Sequence, residues 1–127
     1  MKIKNIKFKA KQLNSGKWFE GDLVRLGNWV CIGGDHIKDG ITDVDPSTVC
    51  MFTGLKDCEG NETWEGDILQ DVDDDNIKYV VTFGQGAFFA RKVGLYTGIP
   101  LHECVGSLGN DVITYAKVVG NKFDKKE

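Results

Sequence analysis

The chain has 127 residues, of which 41% are hydrophobic and 28% charged, and its formal net charge is −3. This length and composition fit one globular domain with its own core, and the slightly acidic charge argues against binding duplex nucleic acid through its phosphates. No apolar segment approaches the ~20 residues of a membrane-spanning helix and no secretory signal is recognisable, so we expect a cytoplasmic protein with free thiols and no membrane contact.

The first part of the chain predicts strands joined by tight turns. Ile6, Phe8 and Ala10 alternate with lysines, which is the period-two pattern of a half-buried strand. A return strand begins at Trp18, after a turn that contains glycine. Gly27-Asn28 separates two apolar runs and has the composition of a two-residue hairpin loop. We therefore expect antiparallel hairpins in this region.

The rest of the chain continues the same pattern. Asp45 and Pro46 predict a short helical turn, because Asp caps the start of a helix and Pro suits its first position. Residues 94–111 predict an irregular connection, and residues 122–127 predict a charged tail. Further strands are predicted over residues 50–53, 68–72, 77–83, 87–93 and 112–119.

A short pattern occurs twice, as GKWFEGDLV at 16–24 and GNETWEGDIL at 60–69. In both copies a strand and a glycine-containing turn precede an aromatic residue, Glu-Gly-Asp and an aliphatic residue. We interpret the copies as two related hairpin units, over about residues 6–32 and 50–83. Gly21 and Gly66 would supply a bulge or a kink that a side chain would hinder, and the neighbouring acids can bond nearby backbone amides.

These patterns predict a mainly β protein. No amphipathic segment reaches the ~10–12 residues of an ordinary helix. We expect a single domain of bent antiparallel strands over residues 1–121, barrel- or sandwich-like, with at most short helical turns.

The acidic residues offer two possible sites, and both have a simpler structural explanation. Glu20/Asp22 and Glu65/Asp67 could pair as general acid and base, but their recurrence favours a structural device, because a duplicated corner needs no substrate. The run at 71–76 has the first aspartates of a calcium-binding loop. Asn76 and Thr82 stand where that loop requires glycine and glutamate, so the run predicts a hairpin turn.

The cysteines and histidines do not form a recognised site. His102 and Cys104 would share one face of a strand, where a metal site or a thiolate–imidazole pair is conceivable. The sequence has no spacing that suggests further ligands. Cysteine is among the most buried residue types, so we expect the four thiols mostly in the core. We expect no catalytic residue, no cofactor and no metal.

The basic residues are distributed unevenly along the chain: residues 1–11 carry five lysines and no acid. This segment is interpreted as a solvated strand edge, since lysines discourage edge pairing. The alternative is contact with nucleic acid, for which aromatic side chains could stack on bases. The aromatic residues considered for that role are Trp18, Trp29, Trp64, Phe88 and Phe89, which more often fill a core or an interface.

Several motifs resemble the YopX family of phage and prophage proteins. VDPSTV at 44–49, FTGLKD at 52–57, Gly60 and WEGDI at 64–68 are similar to the family pattern VDPETV-x-x-FTGLKD-x-x-GxxIYEGDIV. The opening hairpin and the closing VVGN at 118–121 resemble the family as well. Trp64 replaces the usual tyrosine. The residues assigned to this structural motif are Phe8, Trp18, Glu20, Gly21, Asp22, Asp45, Pro46, Phe52, Thr53, Gly54, Leu55, Asp57, Gly60, Trp64, Glu65, Gly66, Asp67, Gly120 and Asn121.

The resemblance implies a β-rich protein that phages and integrated elements of Gram-positive hosts encode and that assembles as a homo-oligomer. No catalytic residues are assigned to the family. We therefore expect a phage- or prophage-encoded accessory protein of the host cytoplasm. Its expected role is that of a non-enzymatic, oligomeric protein-interaction module that binds a host or phage protein. The alternative is a nucleic-acid-binding phage protein.

Overall fold

The computed structural model describes residues 2–94, 98–105 and 111–124. Within these ranges the chain forms antiparallel strands and short 3-10 turns at Ile3–Asn5, Lys38–Gly40, Pro46–Thr48 and Leu101–Cys104, with no α-helix. The mainly β prediction is therefore confirmed. The strands are β1 (Phe8–Lys11), β2 (Trp18–Leu26), β3 (Trp29–Gly33), β4 (Ile41–Asp43), β5 (Cys50–Lys56), β6 (Glu62–Trp64), β7 (Asp67–Asp71), β8 (Lys78–Gly84), β9 (Ala87–Lys92), β10 (Gly98–Pro100) and β11 (Ala116–Asn121).

The chain divides into two compact units, Met1–Phe52 and Thr53–Glu127, which we call the first and second unit. In the first unit the strand order is β4-β3-β2-β1-β5. Its core lies on one sheet face, where β-branched and aromatic side chains at alternate positions pack together. That core consists of Ala10, Ile32, Ile37 and Val44, with Phe8, Phe19, Leu23, Val30 and Val49 packed against it.

In the second unit the end of β5 pairs with β6, and a five-stranded sheet has the order β10-β9-β8-β7-β11. β10 and β11 form the edges of this sheet, so it is open and does not close into a barrel. Alternate side chains of β7, β8 and β9 enter the core. The core consists of Leu69, Val81, Ala90, Leu101, Ile113 and Ala116.

Most predicted turns and strands are confirmed, with shifted ends. Gly27-Asn28 joins β2 to β3, and Pro46 begins the predicted short turn. The last strand starts at Ala116 and not at residue 112, because Val112 and Ile113 form only isolated bridges. Of the connection predicted at 94–111, residues 95–97 and 106–110 lie outside the described residues. No helix in the described part of the chain is long and apolar enough to cross a bilayer.

The two Glu-Gly-Asp copies share one topological feature, which is a change of strand partner at the glycine. In the first copy Gly21 pairs with Phe8 of β1 and Asp22 pairs with Gly33 of β3, without a register shift. In the second copy residues 65–66 form a turn after β6, and β7 then pairs with β8. The predicted bulge is therefore wrong at Gly21, which lies in an unbroken strand. At Gly66 the chain makes a turn that separates β6 from β7, where a bent strand was the prediction.

Candidate functional site

A buried carboxylate holds the turn between β5 and β6. Asp57 is fully buried, and its Oδ1 accepts hydrogen bonds from the backbone N–H groups of Glu59 and Asn61 at 2.9 and 2.8 Å. Its Oδ2 accepts one from the Asn61 side chain at 3.2 Å and one from the backbone N–H of Val118 at 2.8 Å. Burial raises the pKa of Asp57, but the hydrogen bonds outweigh burial and hold the pKa below its usual value. The charged Asp57 carboxylate therefore links the turn to β11 through hydrogen bonds.

A second buried carboxylate holds the corner between β6 and β7. Asp67 Oδ2 accepts a hydrogen bond of 2.8 Å from the backbone N–H of Trp64. Asp67 Oδ1 accepts one of 2.9 Å from the side-chain amide of Asn121, which also donates to the backbone oxygen of Glu65 at 3.2 Å. The prediction that an acid of this motif bonds nearby backbone is confirmed for Asp67.

Gly66 lies in the corner between β6 and β7, against the Asn121 side chain of β11. Its φ of +85° is left-handed, and a Cβ at this position would lie 3.2 Å from the side-chain amide of Asn121. The Gly66 N–H donates to the backbone oxygen of Val81, and the Lys122 N–H donates to that of Gly66, both at 2.8 Å. Glycine is therefore favoured here, for both conformational and steric reasons. Lys122, which the sequence places in the tail, is bound to this corner.

Other signature residues of the second unit support the same hairpin. Thr53 Oγ1 donates to the backbone oxygen of Thr63 at 2.8 Å and accepts from the Leu55 N–H at 3.1 Å. The Gly60 N–H donates to the backbone oxygen of Asp57 at 3.1 Å. Leu55 packs against the core. These contacts make the FTGLKD segment a scaffold for the β5–β6 hairpin.

In the first unit, Asp45 caps the short turn as predicted. Its Oδ1 accepts hydrogen bonds from the Ser47 N–H at 3.0 Å and the Ser47 hydroxyl at 2.8 Å, and Pro46 is the first residue of the turn. Thr48 Oγ1 donates to the backbone oxygen of Asp45 at 2.7 Å and accepts from the Lys11 N–H at 2.9 Å. The VDPSTV segment therefore joins the turn to β1.

The lysines of the first strand lie over aromatic rings. Lys7 Nζ is 4.7 Å from the ring centroid of Phe52. Lys9 Nζ and Lys11 Nζ are 4.7 and 5.4 Å from that of Trp18. Cation–π contact stabilises such pairs and keeps the ammonium groups partly in solvent. The three lysines therefore share one face of the sheet, and the Trp18 ring already contacts two of them.

The first Glu-Gly-Asp copy lies beside these lysines. Glu20 Oε1 is 3.9 Å from Lys7 Nζ, and the side chains of Glu20 and Asp22 are exposed. A Cβ on Gly21 would collide with the backbone oxygen of Gly33. In the first copy, therefore, the backbones of β2 and β3 approach closely at Gly21, and both acids are exposed. In the second copy the acid Asp67 is buried.

The other candidate groupings do not converge on one site. The run at 71–76 forms the predicted turn between β7 and β8, where Asp71 and Asp74 accept backbone hydrogen bonds at 2.8 and 2.9 Å. His102 and Cys104 lie on a 3-10 turn and not on a strand. In the described ranges no group of three or more His, Cys, Asp or Glu residues could hold a metal ion.

The thiols differ in their surroundings. Cys31 and Cys50 are buried, Cys104 is half-buried and Cys58 is exposed, so a core position is wrong for Cys58. Burial, a hydrogen bond to Asp43 and the charge of that carboxylate raise the pKa of Cys31. Burial and the charge of Glu103 raise the pKa of Cys104. Both groups are therefore poorer nucleophiles than an ordinary thiol at neutral pH.

Exposed apolar side chains lie at the tip of the β2–β3 hairpin. Trp29 and Leu26 pair directly across this hairpin and are 62% and 59% exposed. Ile41 is also 39% exposed, but it pairs with Gly33 at the other end of β3, and the buried Cys31 lies between Trp29 and Gly33 on the same face of that strand. We call Leu26 and Trp29 the hairpin patch.

A groove of about 390 Å³ lies at the β8–β9 hairpin of the second unit. It combines aromatic, hydroxyl, amide and guanidinium groups. Its lining consists of Thr82, Phe83, Gly84, Gln85, Phe89, Arg91 and Gly98.

A model of the YopX protein family matches residues 7–127, nearly the whole chain. The chain belongs to the YopX protein family. This match confirms the resemblance drawn from the motifs at 44–49, 52–57 and 64–68. No curated protein matches the chain.

The YopX signature is distributed over both units. In the second unit the structure brings Glu65, Gly66, Asp67 and Asn121 together at the ends of β6, β7 and β11, and Asp57 bonds the same strand β11 at Val118. Trp64 is buried beside them, and Gly120 pairs with Ile68. The signature residues of the first unit are Phe8, Trp18, Glu20, Gly21, Asp22, Asp45, Pro46 and Phe52.

Two surfaces of this YopX protein were not predicted from the sequence. Trp29 was considered only as one of several aromatics, and nothing in the sequence distinguished it from the buried Trp64. Phe89 and Arg91 alternate with the buried Ala90, so the period-two pattern could have placed both on the solvent face of β9. The groove itself requires the neighbouring strands β8 and β10.

Proposed function

We propose that this YopX protein is a phage- or prophage-encoded accessory protein that acts without catalysis in the host cytoplasm. It forms a homo-oligomer and binds a host or phage protein. The observation that supports this function is the hairpin patch, in which Trp29 is 62% exposed. Trp is one of the residue types enriched among the side chains that dominate binding energy at protein interfaces.

The shape of the patch fits an interface. Leu26 and Trp29 flank the Gly27-Asn28 turn, so both side chains extend from a hairpin tip. Clustered exposed apolar side chains are unfavourable in water and favour association. We infer that this surface is covered in the functional assembly.

The contacts of the acidic and thiol groups favour a non-enzymatic role. Both Asp67 oxygens accept structural hydrogen bonds, and so do both Asp57 oxygens. A general base needs a carboxylate that can reach a substrate proton. The raised pKa of Cys104 disfavours its thiolate, which is the nucleophilic form.

The test is recovery of tagged protein from phage-infected host cells, with and without nuclease treatment. We expect a defined protein to co-purify after nuclease, and we expect light scattering of the purified chain to give a mass above that of one copy. Trp29→Ser should lower that mass and release the partner, and Tyr115→Ser, which changes an aromatic residue 61% exposed in the second unit, should do neither. An unchanged mass and partner set for Trp29→Ser would contradict the proposal.

A second candidate function is nucleic-acid binding through β1. The observation that favours it is the clustering of Lys7, Lys9 and Lys11 on one sheet face. Affinity should then fall steeply with salt, because bound phosphates release their counterions. Lys9→Gln combined with Lys11→Gln should reduce both the affinity and its salt dependence. Partners that disappear on nuclease treatment would favour this function over the first.

A further inference from the structure

The five-stranded sheet of the second unit has one face packed on the core and one face directed to solvent. Leu69, Val81 and Ala90 enter the core, so their neighbours along the same strands point to the opposite side. We call that side the outer face. Its residues are Ile68, Gln70, Lys78, Val80, Thr82, Ala87, Phe89, Arg91, Gly98, Pro100 and Lys117.

The outer face carries cations and no acid. Lys78 pairs with Gln70, and Gln70 pairs with Lys117, so the two lysines flank Gln70 in one row. Arg91 pairs with Val80 and lies diagonally from Lys78. From β9 to β11 the cations span three strand spacings, or about 14 Å. The outer face is therefore locally positive although the whole chain has a formal net charge of −3.

The nearest acids bound this face at one end. Asp75 lies in the turn between β7 and β8, and its Oδ1 accepts a hydrogen bond of 3.0 Å from the Gln70 side chain. Arg91 lies one row farther from this turn than Lys78, opposite Val80 and in the lining of the groove. In the described part of the chain, no ion pair or hydrogen bond engages the Arg91 guanidinium. The Arg91 guanidinium is therefore available to a negatively charged ligand beside the groove.

The groove beside Arg91 presents an aromatic surface. Phe89 is half-buried and, within the described ranges, stacks with no other ring, whereas Phe83 and Phe88 form an edge-to-face pair at 4.9 Å. Gly98 keeps the adjoining space open, because a Cβ there would lie 3.3 Å from Phe89 Cβ. Thr82 and Gln85 add a hydroxyl and an amide to the lining.

We propose that the outer face binds single-stranded nucleic acid. A base enters the groove and stacks on Phe89, and the phosphates contact Arg91, Lys78 and Lys117. The Phe89 ring offers a surface on which a base can stack. The cations span about 14 Å, which is enough for several phosphates, because phosphates repeat every ~3.4 Å along one strand. An acidic peptide would use the cations but has no general need for the aromatic surface. The proposal does not depend on the hairpin patch, and it uses cations other than those of β1.

The test is fluorescence anisotropy of a labelled oligothymidine of about 12 nucleotides with the full chain, at about 50 mM salt and above. We expect saturable binding. A plot of log affinity against log salt concentration should have a slope of about −2, because each of three phosphate contacts contributes about −0.7 on a single strand. Phe89→Ala should weaken binding by roughly 5- to 100-fold, the effect of losing one base stack. Phe89→Leu, which keeps the apolar volume, should weaken binding as well if stacking is the cause.

A matched pair of double variants locates the site. Lys78→Gln with Arg91→Gln should reduce affinity and lower the slope to about −0.7, since one contact remains. Lys17→Gln with Lys38→Gln removes the same charge from exposed positions of the first unit and should leave binding unchanged. The proposal is overturned if the oligonucleotide does not bind, if Lys9→Gln with Lys11→Gln causes the loss in place of the outer-face pair, or if oligoglutamate of equal length competes as well as unlabelled oligothymidine. Circular dichroism of each variant verifies folding.

Discussion

The side-chain amide of Asn121 donates a 2.9 Å hydrogen bond to the buried carboxylate of Asp67, which lies 54 positions earlier in the chain. The same amide donates to the backbone oxygen of Glu65 at 3.2 Å. One side chain of β11 therefore closes the corner between β6 and β7. This contact explains why the Glu-Gly-Asp motif and the closing Gly-Asn of the chain occur together in one signature.

Asn121→Ala should lower the free energy of unfolding by about 1–3 kcal/mol, because it removes a hydrogen bond to the buried Asp67 carboxylate. Urea titration followed by tryptophan fluorescence measures this difference. Asn14→Ala changes the same residue type in an exposed turn and should stay within about 0.5 kcal/mol of the parent. Equal midpoints for the two variants would show that the Asp67–Asn121 contact contributes nothing.

Asp57 should make stability depend on acid pH. Its pKa is lower in the folded protein than in the unfolded chain, where a value of about 3.9 is expected. Its contribution is therefore fully present above that value and is lost as the pH falls through the folded pKa. Asp57→Asn should reduce stability at neutral pH and flatten the decline in acid, as measured by urea midpoints from about pH 6 to about pH 3.

The control for Asp57 is Asp35→Asn, which changes an exposed acid of the first unit. This variant should retain the parent's acid decline. If Asp57→Asn declined as steeply as the parent, other groups would carry the acid dependence.

The two motif glycines should resist substitution for different reasons. Gly66→Ala forces a side chain into a left-handed position, and Gly21→Ala places a Cβ against the backbone oxygen of Gly33. We expect each to cost about 1 kcal/mol or more in thermal or urea unfolding. Gly84→Ala adds a side chain to a strand position with open space around it and should be close to neutral. A similar loss for all three would mean that alanine is disfavoured generally, without a special role for the motif.

The thiols should react in the order of their exposure and acidity. Cys58 is exposed and should be alkylated first under native conditions at neutral pH. Cys104 should follow slowly because its pKa is raised, and the buried Cys31 and Cys50 should react only on unfolding. Peptide mass spectrometry of timed iodoacetamide reactions measures the order. Early labelling of Cys104 would instead indicate an activated thiol.

Local patterns in the sequence determined most elements of this protein. Alternation of apolar residues with lysines located β1, because the two faces of a strand meet different surroundings. Residues that favour strands, bounded by turn residues, located β8 and β9. The composition of the turns located Gly27-Asn28 and the Asp45 cap, because those conformations depend on one or two residues. The two Glu-Gly-Asp copies lie at two places where the chain changes strand partner, and the long motifs identified the YopX family.

The tertiary structure decided what each copy of that pattern does. The same three residues form an unbroken strand at Gly21 and a turn at Gly66, because Gly33 lies against one copy and Asn121 against the other. Exposure was also decided by tertiary contacts, since Trp29 is exposed and Trp64 is buried although both were predicted to lie on strands. The groove beside Phe89 and Arg91 exists only where β8, β9 and β10 meet. Contacts between distant segments set these features, and no local pattern specifies which segments become neighbours.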